Sequence, residues 1–354
     1  MERGYGMLLR VGCLLLASLA SAGAAHAVEA LPQVVAAVAA AAPYSGSERE
    51  QFLLNEARKE GRLVVYSSSG QADIAAVIAA FEKKYGLQVT LWRGNSETLV
   101  HKVMTEARAR RFELDLVDTD GVYLEALSRA QLLQKVHQQN APSADGPSQP
   151  AHGEWISTRY NVFALGYNTN AVDKAYLPKT WEDLLDPRWK GKIAVDDGDF
   201  DWFATVLKEM GHERGLALFR ELVSKNGLAI RRGHSLLATL VASGEVAMTP
   251  TVYSFQIEAR KRQGAPVDWV LLKPVVVRSQ GDAIMRRAPN PYAALLFYAF
   301  MTGEGATVLA KKRHDDELAM DPKDYKLVEP AVVLDELEKW QDLYQKEVVK
   351  KNAR

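Results

Sequence analysis

Between residues 62 and 121 the chain alternates short apolar runs with longer segments in which apolar residues recur at helical spacing. The predicted strands are 63–66, 87–92 and 114–117, of which the first is wholly apolar and the other two contain polar residues among apolar ones. The segment 73–85 carries apolar residues three or four positions apart and is followed by Gly86, which is typical of a helix end. This order of strand, helix, strand, helix and strand predicts a parallel sheet with helices on its faces.

Polar residues follow each of these predicted strands. Because ligands bind beyond the carboxyl ends of parallel strands, we expect the three loops to meet at one edge of the sheet. Serine hydroxyls and helix N-terminal amides suit an oxyanion, arginine binds one with two hydrogen bonds, and aspartate accepts from a cation or caps a helix. The candidate ligand-binding residues here are Ser67, Ser68, Ser69, Gly70, Arg93, Asn95, Ser96, Asp118 and Asp120.

A second set of candidates follows the strands predicted in the middle of the chain, at 193–195, 228–230 and 246–248. The densest acidic cluster directly follows the first of them, and it does not match a twelve-residue calcium loop because no glutamate occupies the last position. A solvated acidic run and aromatic side chains in the core are the alternatives to ligand contact. The candidate contacts in this half are Asp196, Asp197, Asp199, Trp202, Arg232, Ser235 and Tyr253.

The first 27 residues differ from the rest. Arg3 and Arg10 flank the apolar run 11–19, and a tail of small residues ends in an A-x-A site at 25–27. This arrangement is typical of a secretory signal peptide cleaved after residue 27. Cleavage there removes Cys13, the only cysteine, so the mature protein needs no disulfide.

The charge of the chain restricts its partners. Its 354 residues include 44 basic and 44 acidic ones, so the formal net charge is zero. Nothing in this balance indicates a nucleic acid or an anionic membrane surface as a partner. The length is sufficient for two domains.

The most specific segment is 180–193, which reads TWEDLLDPRWKGKI. Thr180 is a helix N-cap with Asp183 three residues later, and the helix stops before Pro187. The segment resembles the one that opens the second lobe of bacterial periplasmic solute-binding proteins in the ferric-iron, thiamine and polyamine branch. Further motifs of that family, in the same order, are LVVYSSSG at 63–70, YNT at 167–169, ASGE at 242–245 and APNP at 288–291.

The resemblance implies an α/β protein with the type II periplasmic-binding-protein fold, in which each lobe is a mostly parallel sheet flanked by helices and two crossing segments form the hinge. It divides the chain into a signal peptide (1–27), a first lobe (45–165 plus 278–354) and a second lobe (166–277). The expected function is the periplasmic substrate-binding component of an ABC transporter. It is expected to be a monomer that delivers a small solute to an inner-membrane permease. A ligand-sensing periplasmic receptor subunit with the same fold is the alternative.

The resemblance also raises the question of iron. In the ferric members, two adjacent tyrosines bind the metal, and here only Tyr253 matches, between Val252 and Ser254. Arg159 matches the position that holds a synergistic anion in that family. The candidate ligands are therefore ferric iron or its anion complex, with Tyr253 as the candidate metal ligand, or a small organic cation, zwitterion, carboxylate or phosphonate. No resident cofactor is expected.

An exported hydrolase is the alternative from another class of function. Nucleophilic hydrolysis favours a G-x-S-x-G motif, and the nearest string, at 233–237, lacks the final glycine. The chain has no H-E-x-x-H zinc motif, no P-loop and no dinucleotide-binding glycine motif. The sequence therefore does not predict an enzyme.

Overall fold

A computed structural model of the chain describes residues 32–136, 150–313 and 322–350. Within these residues the predicted α/β class is confirmed, because helices flank an eight-stranded sheet and a two-stranded sheet. The predicted signal peptide, residues 1–27, lies outside the described residues.

The first part of the chain builds three strands and the helices between them. The bounds are α1 Pro32–Ala41, α2 Gly46–Glu60, β1 Arg62–Ser67, α3 Gln71–Tyr85, β2 Gln88–Arg93, α4 Ser96–Arg108, β3 Leu116–Asp120 and α5 Gly121–Arg129. β1 pairs in parallel with β2 and with β3, as the alternating pattern predicts. Helices α2 and α3 end at Gly61 and Gly86, whose φ angles of 80° and 68° favour glycine.

The rest of the chain contributes the other strands and helices. The bounds are β4 Ile156–Asn168, β5 Ala194–Asp196, α6 Phe200–Met210, α7 His212–Lys225, β6 Ala229–Arg231, α8 His234–Ser243, β7 Met248–Tyr253, α9 Ser254–Arg262, β8 Val267–Val270, β9 Val275–Ile284, α10 Pro291–Met301, α11 Glu304–Arg313, β10 Tyr325–Leu327, α12 Pro330–Asp335 and α13 Leu337–Tyr344. Short 3-10 helices span Lys174–Tyr176, Glu182–Leu185, Pro187–Trp189 and Pro322–Asp324, and a π-helical turn spans Gln345–Val349. The strands predicted at 193–195 and 228–230 are thus present, each shifted by one residue.

Two long strands, β4 and β9, cross between the halves of the molecule. The large sheet has the order β2-β1-β3-β9-β4-β7, with β10 beside β9 and β8 beside β4. β9 runs antiparallel to both β3 and β4. The first half is therefore parallel, as predicted, whereas the crossing strands are antiparallel and hydrogen-bonded to each other.

The predicted third strand ends at residue 117, but β3 extends to Asp120. The extension arises because residues 116–120 pair with β9 along their whole length. Asp118 and Asp120 therefore lie on a strand and not in the predicted loop, and α5 begins directly afterwards at Gly121.

The predicted N-cap at Thr180 is confirmed. The Asp183 amide donates to Thr180 Oγ1 at 3.3 Å, and the Asp183 carboxylate accepts from the Thr180 amide at 2.9 Å. The short helix that follows is the 3-10 helix Glu182–Leu185. The two hydrogen bonds form a reciprocal cap at the start of this helix.

Hydrophobic side chains form two large clusters on either side of the crossing strands. Fully buried members of the first include Leu63, Phe81, Leu116 and Phe297. Those of the second include Trp202, Phe203, Phe219 and Tyr344. Because Tyr344 lies 5.3 Å from Phe203, ring centroid to ring centroid, the end of the chain packs on residues of the predicted second lobe. The resemblance assigns residues 278–354 to the first lobe, and the lobe boundaries stay a prediction.

Among the described residues, no single helix is long and apolar enough to cross a membrane. Only α10 and α11 taken together, bent by 49° at their junction, satisfy the criteria of length and composition.

We expect Gly281→Ala on β9 to destabilise the fold strongly. A Cβ atom at this position would lie 1.9 Å from the carbonyl oxygen of Ile156, so the paired crossing strands would have to separate. The free energy of unfolding should fall by about 3 kcal/mol or more, the upper range for overpacking, as measured by urea denaturation. In Gly303→Ala the nearest atom is 3.6 Å from the new Cβ, so this control should be almost unchanged. Equal stability of the two variants would contradict the tight approach of β4 and β9.

Candidate functional site

A cleft of about 390 Å³ lies between the two lobes. Its walls come from the residues that follow β1, β2 and β3 in one lobe and β5, β6 and β7 in the other. This is the edge of the sheets at which the sequence predicts a ligand. Most of the side chains that line the cleft are polar or charged.

The wall in the first lobe is organised by Asp118, which is fully buried. One carboxylate oxygen accepts hydrogen bonds from the hydroxyls of Ser67 and Ser69 at 2.5 and 2.6 Å. The other oxygen accepts from Nη2 of Arg159 at 2.6 Å. Arg159 lines the cleft, and its positive charge is therefore balanced from behind the wall.

Two amides and a second arginine extend this wall. Gln280 Nε2 on β9 donates to Ser69 Oγ at 3.1 Å, and its oxygen accepts from Asn161 Nδ2 on β4 at 3.0 Å. Asn161 Oδ1 in turn accepts from Nη2 of Arg313 on α11 at 2.9 Å. The wall is thus one hydrogen-bonded chain that runs from β1 across both crossing strands to α11.

The N-terminus of α3 opens into the same cleft. Among the described residues, no group accepts a hydrogen bond from the amides of Gly70, Gln71 or Ala72. Arg93, at the end of β2, lines the cleft and donates from Nε to the carbonyl of Ser69 at 2.5 Å. Unbonded helix amides beside a guanidinium favour an anion at this end of the cleft.

The wall in the second lobe is organised by Arg278, which is 5% exposed. Its Nε donates to Asp201 at 2.8 Å, its Nη2 donates to Asp199 at 2.9 Å and again to Asp201, and its Nη1 donates to the hydroxyl of Tyr253 at 2.7 Å. Burial raises the pKa of Tyr253 well above the ordinary value of 10. Tyr253 is therefore a neutral phenol whose oxygen already accepts a hydrogen bond.

His234 adds a second positive charge to this wall. Its Nε2 lies 3.0 and 3.1 Å from the two carboxylate oxygens of Asp199, and its ring packs 4.4 Å from that of Tyr253. Burial acts to lower the pKa of His234, but the carboxylates of Asp199 and Asp196 outweigh it and raise the pKa to about 9. The imidazole is thus protonated at neutral pH and donates to Asp199.

Asp196, Asp199 and His234 form the group of described residues whose ligand atoms could hold a metal ion, since these atoms lie within 4.8 Å of one another. In the structure each is engaged otherwise. Asp196 accepts from the amides of Gly198 and Gly233, and Asp199 accepts from Arg278 and His234. A metal would therefore have to displace the proton of His234.

Two contacts join the lobes at the rim of the cleft. Arg232 Nη2 lies 2.7 Å from Glu97 Oε2, and both side chains are exposed. The guanidinium of Arg313 lies 3.7 Å from the ring centroid of Phe255. Since an exposed ion pair contributes about 1 kcal/mol or less, the rim holds the lobes together only weakly.

The acidic loop after β5 is supported from behind by the end of the chain. Tyr344 donates its hydroxyl to the carbonyl of Asp196 at 2.5 Å, and Gln345 donates to the carbonyl of Asp197 at 3.1 Å. These bonds leave the carboxylates of the loop directed to the cleft side.

Known proteins share this architecture. Residues 114–279 match the model of a family described as bacterial extracellular solute-binding protein. The Fe(3+)-binding periplasmic protein of Serratia marcescens is 24% identical over 186 residues, which cover 52% of this chain and 54% of the relative. The chain thus spans about half the length of that relative. Iron-bound HitA from Pseudomonas aeruginosa has a TM-score of 0.68 at 23% identity, covering 80% of this chain and 98% of that one. AfuA from Actinobacillus pleuropneumoniae, with fructose-6-phosphate bound, has a TM-score of 0.70 at 22% identity, covering 81% and 98%.

The resemblance to periplasmic solute-binding proteins is confirmed. The matched family and the matched structures are substrate-binding proteins, so they give no support to the alternative of an exported hydrolase. The matched region begins just before β3 and ends within β9, so it contains Asp199, Asp201, His234, Tyr253 and Arg278 of the second wall, whereas Gln280 and Arg313 of the first wall lie beyond it.

Most of the residues predicted from the sequence meet at this cleft. Those that line it are Ser68, Ser69, Gly70, Arg93, Asn95, Ser96, Asp120, Arg159, Asp196, Asp197, Asp199, Arg232, Ser235 and Tyr253. The structure therefore brings them together as the strand-end argument predicts, and their contact with a ligand stays a prediction.

Three predicted residues lie elsewhere. Ser67 and Asp118 are fully buried behind the first wall, where they hold Ser69 and Arg159 in place. Trp202 is corrected from a ligand contact to a core residue. It is 1% exposed, and its ring packs against those of Trp181 and Phe219 at 5.5 and 5.7 Å.

Sequence reasoning assigned no contact to several other residues that line the cleft. They are Asp73, Tyr123, Asn161, Asp201, His234, Phe255, Gln256, Arg278, Gln280 and Arg313. The sequence of β9, VVVRSQGDAI, contains one usable signal: charged or amide side chains recur at 278, 280 and 282, with only the small Ser279 and Gly281 between them. Side chains two residues apart in a strand project to the same face of the sheet. On this face, Arg278 and Gln280 form the floor of the cleft.

Replacing Arg278 with leucine should destabilise the protein. Asp199 and Asp201 are almost fully buried and would lose their shared cation, which typically costs about 3–5 kcal/mol. Thermal and urea unfolding would measure the loss. The control Arg214→Ala removes an exposed ion pair with Glu182 and should cost about 1 kcal/mol or less. An Arg278→Leu protein as stable as the control would show that the second wall does not depend on this guanidinium.

Proposed function

We propose that this protein is the periplasmic substrate-binding component of an ABC importer and that its solute is a small organic anion. The observation that carries this proposal is the first wall, where hydroxyls, helix amides and arginines converge on a cleft that opens between two lobes. Closure of the lobes over the solute would give an inner-membrane permease a bound form to recognise. We propose delivery to such a permease as its role.

The anionic group of the solute is expected to lie against the first wall. Arg93 has no carboxylate partner among the described residues, and the amides at the start of α3 have no acceptor there. The hydroxyl of Ser68 faces the same space. A phosphate or carboxylate placed here would accept hydrogen bonds from all three sources.

The size of the cleft supports an organic solute. Its volume is about 390 Å³. Cavities of this size typically hold organic ligands. The second wall offers such a ligand hydrogen-bonding groups, and Arg278 and His234 neutralise two of its carboxylates, Asp199 and Asp201.

The environment of Tyr253 further favours an organic solute. Ferric iron is bound by phenolate, a deprotonated oxygen, whereas this phenol has a raised pKa and accepts from Arg278 at 2.7 Å. Its own proton remains free to be donated to an acceptor on the solute. Tyr253 is thus placed to recognise a ligand oxygen.

Ferric iron is the second candidate solute. The observation that favours it is the spacing of Asp196, Asp199 and His234, together with the iron bound by the relatives named above. Hard oxygen ligands suit ferric iron, but here two of the three groups are already paired with each other. Calorimetry and spectroscopy separate the two candidates.

We expect Arg93→Gln to weaken binding of an organic anion by about tenfold to hundredfold. Removing one charge-assisted hydrogen bond typically costs about 1.5–3 kcal/mol. Calorimetric titration of the mature protein with fructose 6-phosphate, citrate and spermidine would measure the change in affinity. The control Arg58→Gln changes the net charge equally on the exposed face of α2 and should bind like the wild type. Binding of spermidine but neither anion, or equal affinity in both variants, would contradict the proposal.

Titration with ferric citrate tests the second candidate. We expect no saturable tyrosinate-to-iron charge-transfer band in the visible spectrum, because the Tyr253 hydroxyl is neutral and hydrogen-bonded to Arg278. A saturable band that disappears in Tyr253→Phe would instead identify ferric iron as the solute. The far-UV circular dichroism of both proteins should be the same, since Tyr253→Phe removes the hydroxyl and keeps the aromatic ring.

A further inference from the structure

Two fully buried carboxylates lie side by side behind the first wall, and Arg159 donates to one of them. Asp118 on β3 and Asp282 on β9 are cross-strand partners in antiparallel register, and neither is exposed. Such partners project to the same face of a sheet with Cβ atoms about 4.5–5.5 Å apart. Two negative charges at this distance repel strongly in a protein interior, so the pair favours one proton between the two carboxylates.

The hydrogen bonds show which carboxylate is ionised. Both oxygens of Asp118 accept hydrogen bonds, from Ser67, Ser69 and Arg159. Asp282 accepts one, from the Thr158 hydroxyl to Oδ2 at 2.8 Å, and its buried Oδ1 has no hydrogen-bond partner among the described residues. Asp118 therefore has the donors that a negative charge requires, and Asp282 lacks them.

Burial first, and then the charge of Asp118, raise the pKa of Asp282 to about 8, although Arg159 and Thr158 act to lower it. The charged groups around the pair are Asp118 on β3, Arg159 on β4 and, facing Arg159 from α3, Asp73. At neutral pH, Asp282 is therefore a neutral carboxyl directly behind the wall.

The same arginine connects this carboxyl to the cleft. Arg159 donates to Asp118 and to the hydroxyl of Ser69, and both Arg159 and Ser69 line the cleft. An anionic solute at this wall adds one more negative group near the guanidinium of Arg159. An ionised Asp282 would oppose that anion, and a neutral Asp282 does not.

We propose that the solute is captured together with a proton held at Asp282. The proton comes from solvent, binding of the anion favours the neutral carboxyl, and ionisation of Asp282 favours release. The proposal rests on the anionic solute proposed above. In this proposal Asp282 is a positioning residue: its charge state affects the solute indirectly, through Arg159.

A first experiment needs no ligand. The ordinary pKa of an aspartate is about 3.9 and that of folded Asp282 is about 8, so the folded state binds the extra proton between these values. This contribution to stability is complete below about pH 4 and is lost as pH rises to about 8. We expect the urea midpoint of Asp282→Asn to exceed that of the wild type by an amount that grows over this window and then levels off. The control Asp342→Asn, on the exposed side of α13, should track the wild type.

A second experiment measures the solute. Fructose 6-phosphate is a dianion above pH 7, because the second pKa of a phosphate ester is about 6. Between pH 7.5 and 9.5 we expect its Kd for the wild type to rise roughly tenfold more than its Kd for Asp282→Asn, as linkage to one proton predicts. His234, whose pKa is about 9, titrates in both proteins, so the difference between them reports Asp282 alone.

The outcomes separate the two proposals. Parallel pH profiles of Kd for the wild type and Asp282→Asn would overturn the proton-linked capture and leave the anionic solute intact. Absence of binding by both proteins, with the ligand-free stability difference still present, would overturn the proposed function and with it the linkage. A urea midpoint of Asp282→Asn that shows no growing advantage between about pH 4 and 8 would overturn the protonated state of Asp282 itself.

Discussion

The arrangement of the second wall depends on the buried guanidinium of Arg278. Asp199 and Asp201 stand at the start of α6, Tyr253 ends β7, and Arg278 comes from β9 in the crossing pair of strands. Two carboxylates removed from water would be very unfavourable without a cation in hydrogen-bonding geometry. A single side chain therefore fixes the start of a helix, the end of a strand and the floor of the cleft relative to each other.

Each wall depends on a pair of buried aspartates whose negative charge must be neutralised, and the two walls neutralise it differently. In the second lobe a pair of aspartates is neutralised by two cations, Arg278 and the protonated His234. In the first lobe Arg159 pairs with Asp118, and a proton on Asp282 takes the place of the second cation. The four aspartates of these two pairs thus present less negative charge to a solute than the sequence suggests, because cations or a proton neutralise each pair inside the fold.

The sequence predicts the elements that depend on short-range patterns. Apolar runs and helical spacing locate β1, α3 and β2, and the motif beginning at Thr180 locates the entry to the second lobe. Polar residues at strand ends identify most of the residues that line the cleft, because parallel strands bring their carboxyl ends to one edge.

The residues that escaped prediction are those whose role depends on distant partners. Arg278 and Gln280 lie inside a strand, where a polar residue is usually assigned to solvent, and only the pairing of β9 with β3 and β4 brings them to the cleft. Trp202 shows the reverse error, since a residue near the acidic loop in the sequence points away from the cleft once α6 forms. The alternation in β9 gives the shared face of Arg278 and Gln280 but not what that face meets, and Trp202 is buried by Trp181 and Phe219, which lie elsewhere in the sequence.

The pairing of β4 with β9 also has a mechanical meaning. Two separate tethers between the lobes would permit sliding, rolling and twisting, but these tethers form a ladder that extends from Ile156 opposite Asp282 to Val162 opposite Val277. Sliding one strand along the other would break several backbone hydrogen bonds at once, whereas bending or twisting the ribbon preserves them. The lobes can therefore move relative to each other in very few ways. Each opening and closing should follow the same path and bring the two walls back into the same alignment.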